Sequence, residues 1–186
     1  MSEDKEIIDA NLPKDSTAEE DGSRPPSPEQ LELERIAALI RQNWGDETIE
    51  SVSVNPLSQN MMTIAVLREK WLDVAAFLKT EPSLAYDYLD LIAGVDHETE
   101  MEVVYILHSF ANRDRTLMIK VKTDRENPCV PSVTGVWPAA DWPERETYDL
   151  LGIRFEGHPN LQRILLTDEW VGHPLRKDYQ PYDEEV

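Results

Sequence analysis

Apolar positions recur with a helical period over residues 28–44, where Leu33, Ile36, Ala37, Ile40 and Trp44 share one face. Ser27-Pro28-Glu29-Gln30 marks the start: a capping serine, a proline at the first helical position and a glutamine three residues past the cap. Gly45 supplies a stop. Two strand-like runs follow, Ile49–Val54 (β-branched and partly alternating) and Met61–Leu67 (more continuously apolar), with Asn55-Pro56 and a polar turn between them. The helical period returns over Glu69–Lys79, with Trp71, Val74, Ala75 and Leu78 on one face, and Pro82 closes that region. Tyr88–Val95 is apolar enough to predict a buried strand. Met101–Phe110 and Thr116–Thr123 read as a hairpin joined through residues 111–115, and Glu144–Leu151 reads as a helix. The order is helix, two strands, helix, three strands, helix. Without strict alternation this predicts an α+β domain, a mixed sheet with flanking helices over residues 27–151, and not a doubly wound sheet.

From about residue 152 the pattern changes. Three glycines and two His-Pro steps interrupt the chain, and proline holds each preceding histidine extended. Ile153, Phe155, Leu161, Ile164, Leu165, Leu166, Trp170, Val171 and Leu175 are too many apolar residues for a free tail and too irregular for a helix. The expectation is an extended C-terminal arm over 152–186 that buries these groups against this domain or against a partner chain.

Charge changes the picture at the ends of the chain. Of 186 residues, 37 are acidic and 18 basic, a formal net charge of −19. Residues 1–30 hold nine acids against three bases with few apolar side chains, so residues 1–26 are expected to be a disordered acidic leader. Such acidity argues against a nucleic-acid partner, because the phosphate backbone rewards clustered Lys and Arg. No apolar run approaches the ~20 residues that span a bilayer, so direct membrane insertion is not expected. Met1-Ser2-Glu3-Asp4-Lys5-Glu6 lacks the pattern of a signal peptide, and a reducing cytoplasmic compartment is the expectation. The single cysteine, Cys129, excludes an internal disulfide framework and an iron–sulfur cluster held by this chain alone. No Gly-rich phosphate loop, nucleotide fingerprint or nucleophile elbow is present.

The densest charged cluster is Glu144-Arg145-Glu146 with Asp149. Paired carboxylates near His158 could do acid–base chemistry, the reading of an independent small hydrolase built on Glu144, Glu146 and His158. Against it, residues two apart on a helix do not share a face. The bland alternative makes the cluster solvent-facing pairs or a capping turn after Pro143. His158 and His173 match no compact zinc spacing with His97 or His108. Arg176-Lys177-Asp178 is either a surface patch or an interface device, since arginine offers a rigid fork to a partner carboxylate. Cys129 reads as a small half-buried side chain, and Trp137 and Trp142 as core or interface anchors.

Residues 144–152 (Glu-Arg-Glu-Thr-Tyr-Asp-Leu-Leu-Gly), 155–161 (Phe-Glu-Gly-His-Pro-Asn-Leu), Ile164-Leu165 and 172–179 (Gly-His-Pro-Leu-Arg-Lys-Asp-Tyr) together resemble the C subunit of proton-pumping NADH:quinone oxidoreductase, respiratory complex I. Residues 127–133 and 137–142 fit the same family, and the resemblance spans about 30–180. Gln162 departs from it, standing where the family usually has a basic residue or proline. The resemblance implies a peripheral-arm subunit of the quinone module, on the cytoplasmic face of the bacterial inner membrane. It implies an α+β domain whose irregular arm packs along neighbouring subunits, chiefly the hydrogenase-derived large D subunit. No cofactor is expected on this chain; flavin and iron–sulfur clusters belong to partner subunits. On this reading Glu144, Arg145, Glu146 and Asp149 launch the arm and pair with the partner, while His158, Arg163, Trp170, His173, Arg176, Lys177 and Asp178 are arm contacts. Related subunits of membrane-bound hydrogenases or ferredoxin-fed complex I relatives are the nearer alternative, and the independent hydrolase the remote one.

Overall fold

The computed structural model describes residues 25–112 and 115–181; nearly all of the expected acidic leader lies outside the described residues. Helix α1 spans Pro28–Trp44. Its capping box forms as the sequence dictates: the Ser27 hydroxyl accepts from the Gln30 N–H at 3.2 Å and the Gln30 side chain accepts from the Ser27 N–H at 2.7 Å. Strands β1 (Ile49–Asn55) and β2 (Met61–Val66) pair antiparallel. A short 3₁₀ turn at Arg68–Lys70 then leads into α2 (Trp71–Thr80), so the helix starts two residues later than its period suggests. Strands β3 (Tyr88–Asp96), β4 (Glu100–Ser109) and β5 (Arg115–Asp124) form an antiparallel meander. β5 then lies parallel to β2, giving the mixed order β1-β2-β5-β4-β3.

The predicted α+β class with a mixed sheet and flanking helices is the observed one. β3 differs in its place: it is not interior but an edge strand, and Tyr88 and Leu91 are exposed along it. β4 turns Met101, Val103, Tyr105 and Leu107 into the core on alternate residues. α2 lays Trp71 on Tyr105, with ring centroids 4.6 Å apart. Helix α3 (Asp141–Leu151) sits over β3 so closely that a Cβ on Gly94 would stand 2.5 Å from Leu151 and 2.8 Å from Thr147. Trp137 is a core anchor whose indole N–H donates to the Tyr86 carbonyl at 3.0 Å, whereas Trp142 is exposed.

Two short strands escape the sequence pattern. β6 (Cys129–Pro131) and β7 (Arg154–Glu156) pair parallel in a second, two-stranded sheet. Ile153 and Phe155, read from sequence as part of the arm, are therefore buried in the domain's core cluster. Past β7, residues 157–181 contain turns and bends but no helix or strand.

Candidate partner-binding site: helix α3 and the arm

Helix α3 carries charge inward. Glu144, Arg145 and Asp149 are buried and only Glu146 faces out, so a solvated charge cluster or a capping turn is not what forms. Glu144 accepts from the Ser132 hydroxyl at 2.6 Å and from the Val133 N–H at 2.8 Å. Burial, with a smaller push from Asp141, raises its pKa to about 7 against the pull of those two bonds. His158 lies beside it, its Nε2 4.0 Å from Glu144 and 3.2 Å from the Asp141 carbonyl. Because His158 Nδ1 accepts from the Asn160 N–H at 3.0 Å, Nε2 bears the proton in the neutral ring. Glu144 thus ties α3 to the segment after β6, and His158 ties the root of the arm to the start of α3. Of the two carboxylates that the hydrolase reading pairs, Glu144 is buried and Glu146 exposed, so they do not share one environment. Arg145 donates to the Gln162 backbone carbonyl at 3.3 Å and stacks over Trp142, a contact independent of the side chain at the departing position 162.

Asp149 organises the next stretch. One carboxylate oxygen accepts from three successive backbone N–H groups, Ile164, Leu165 and Leu166, at 2.8–3.0 Å; the other accepts from Arg163 at 3.0 Å. Burial works to raise its pKa, but these four donors together outweigh it and hold the carboxyl below its usual range. Arg163 reaches on to the Gly172 carbonyl at 3.2 Å, closing residues 163–172 into a loop.

The Gly-His-Pro-Leu-Arg-Lys-Asp segment caps the helix. An α-helix leaves its last four carbonyls without internal partners. In α3 the Tyr148 carbonyl accepts from the Gly152 N–H and the Asp149 carbonyl from His173 Nδ1, both at 2.9 Å. The Leu150 carbonyl accepts from the Leu175 N–H at 3.0 Å and the Leu151 carbonyl from Arg176 Nε at 2.8 Å. All four are satisfied, three by the arm, and a guanidinium lies at the negative end of the helix dipole. Gly152 is required there: its φ is +78°, and a Cβ would lie 2.6 Å from the His173 ring.

A clasp closes the far end. Asp96, at the end of β3, is buried; it accepts from Arg125 at 2.9 and 3.0 Å and from the Lys177 N–H at 3.0 Å. Arg125 first, then the N–H groups of Lys177 and of Glu98 (2.8 Å), hold its carboxyl far below the carboxylate range despite the opposing effect of burial. Arg125 also pairs with Asp178 at 2.9 Å, and Lys177 with Glu98 at 3.2 Å. Asp96 and Arg125 give no signal in sequence, since neither sits in a motif and only the meander brings them to residues 177–178.

Most of the arm's charged residues named from sequence therefore have partners within the chain. The arm also leaves large apolar side chains outward: Leu165, Trp170 and Leu175 are 58 %, 42 % and 59 % exposed, and Val171 is 85 % exposed, with exposed Asp168 and Glu169 beside them in the chain. Among the described residues no cluster of three or more His, Cys, Asp or Glu could hold a metal.

A mixed-sheet α+β domain strapped by a helix-capping arm, with an apolar ridge outward, has the form of a subunit that builds into a larger assembly. Residues 64–185 match the family described as respiratory-chain NADH dehydrogenase, 30 Kd subunit, and the chain belongs to that family. It is 49 % identical over 128 residues to the C subunit of NADH-quinone oxidoreductase from Roseiflexus sp. (strain RS-1), covering 67 % of this chain and 73 % of the relative. It is 46 % identical over 122 residues to the corresponding C subunit of Geobacter sulfurreducens, covering 63 % and 74 %. Among solved structures, the trypsin-resistant fragment (1-134) of Nqo5 superposes with a TM-score of 0.58 at 30 % identity, covering 69 % of this chain and 98 % of the fragment. A chain of an archaeal membrane-bound sulfane sulfur reductase shares the fold, with a TM-score of 0.64 at 24 % identity over 80 % of this chain and 86 % of that one.

Proposed function

We propose that this chain is a non-catalytic, structural subunit of the quinone module of a proton-translocating NADH:quinone oxidoreductase. Its arm binds neighbouring peripheral-arm subunits, chiefly the large D subunit, and so supports electron transfer from NADH to quinone. The observation that carries the reading is the ridge of Leu165, Trp170, Val171 and Leu175, exposed on a backbone held by Asp149, the helix caps and the Asp96–Arg125 clasp. A surface fixed in advance loses little conformational entropy on binding, and buried tryptophan anchors dominate interface energetics. Relatives at 46 % and 49 % identity are named as C subunits of NADH-quinone oxidoreductase, which supports the assignment of the machine. Flavin and iron–sulfur clusters then belong to the partner subunits. The chain sits peripherally on the cytoplasmic face of the bacterial inner membrane; among the described residues no helix is long and apolar enough to cross one.

The test is Trp170→Ala combined with Val171→Asp in the assembled complex. Both side chains are exposed, so the isolated chain should melt with the wild type. Incorporation and quinone reduction should fall about tenfold or more, while NADH oxidation by an artificial acceptor persists. Wild-type quinone turnover in the variant would overturn the reading. A wild-type preparation that evolves hydrogen and does not oxidise NADH would move the chain to the hydrogenase branch.

A further inference from the structure

We infer that a notch between Arg154 and Arg176 receives a carboxylate side chain from a neighbouring subunit, an inference that rests on the assembly role proposed above. The notch, about 430 Å³, lies in the seam between β7 and the arm and is lined by Glu126, Asn127, Pro128, Gly152, Arg154, His173 and Arg176. Arg154 is exposed on β7, its backbone fixed to the Pro128 carbonyl at 3.0 Å. Arg176 donates through Nε to Leu151 at 2.8 Å and through one terminal nitrogen to Arg125 at 3.5 Å, leaving the other terminal nitrogen free. His173 is held by its Nδ1, so its Nε2 edge faces the seam over Gly152.

Arginine partnering singles this place out. Among the described residues Arg35, Arg41, Arg68, Arg115, Arg125 and Arg163 each have a carboxylate within 4.0 Å. Arg145 lacks one but is buried against Trp142. Only Arg154 and Arg176 remain without a carboxylate within that distance, Arg176 acting on Asp178 from farther off, and both line the same notch, although the chain carries about twice as many acids as bases. Glu126, the notch's own carboxylate, pairs with neither. Two planar guanidinium groups with unused donors lining one notch fit the recognition of an oxyanion. The volume takes a carboxylate with its methylene stem. A glutamate or aspartate of a neighbouring subunit and a free small anion share this chemistry, and the experiment separates them.

Arg154→Glu in the full chain is assayed for incorporation into the complex and for melting of the free chain. Charge reversal should lower incorporation about tenfold or more without lowering the melting temperature, and Arg154→Lys should retain most of it. A lysine placed at an acidic position of the facing subunit should restore the Arg154→Glu variant. Arg154→Glu incorporated at the wild-type level overturns the inference. So does saturation of the Arg154 and Arg176 side-chain resonances by sodium phosphate below ~1 mM in the free chain with assembly unaffected, which assigns the notch to a free anion. A wild-type chain that joins no complex overturns the assembly reading itself, a failure visible before any variant is made.

Discussion

Asp149 is the residue on which most of the arm depends. It receives four hydrogen bonds from residues 163–166 while wholly buried. Asp149→Ala removes the carboxylate partner of Arg163 and leaves three N–H groups without their acceptor, and should cost about 3–5 kcal/mol in urea unfolding. Backbone hydrogen exchange at Ile164, Leu165 and Leu166 should accelerate in the same variant; protection at the wild-type level there would contradict its role. Glu144 gives a prediction in pH. Its folded pKa of about 7 lies above its usual 4.5, so the folded state binds more protons than the unfolded state between those values. Its contribution to stability therefore falls as pH rises through that window and levels off above it. Glu144→Gln should flatten that fall in denaturant titrations run from pH 4.5 to 8; parallel profiles would place the ionisation elsewhere. Asp149 and Asp96 act in the opposite sense: their lowered pKa values add stability above the ordinary carboxylate range that is lost in acid.

At the scale of elements, local chemistry was legible and long-range chemistry was not. The capping box of α1 could be read because its partners lie three residues apart, and the β4–β5 hairpin because its register grows outward from a short turn that begins with Ser109 opposite Arg115. The cap on α3 could not: Arg176 meets Leu151 across 25 residues, and His173 meets Asp149 across 24. In sequence such residues look like ordinary surface charge, and only burial turns Glu144 and Asp149 into structural groups. β6 and β7 were missed because three residues are too short to establish a period of two. The edge position of β3 is a fact of topology that its apolar content does not encode. The joint between α3 and the arm has its own test. Gly152→Ala forces a left-handed φ onto a side chain and drives a Cβ into the His173 ring. It should cost about 1–2 kcal/mol in thermal unfolding and speed tryptic cleavage after Arg176 and Lys177. Unchanged cleavage would mean that His173 does not hold the arm.

For the whole molecule the arm has two faces with different duties. His173, Arg176 and the Lys177 N–H point inward, where they cap α3 and close on Asp96 beside Arg125. Leu165, Trp170, Val171 and Leu175 point outward, as does the notch between Arg154 and Arg176. The family assignment says which kind of assembly such a surface joins. Recovery of the tagged full chain from detergent-solubilised native membranes, with NADH:quinone activity assayed on the eluate, tests this account most directly. It predicts a large complex that contains flavin and iron–sulfur clusters and reduces quinone with NADH. A lone chain, eluted from a preparation in which other membrane complexes survive, would contradict it.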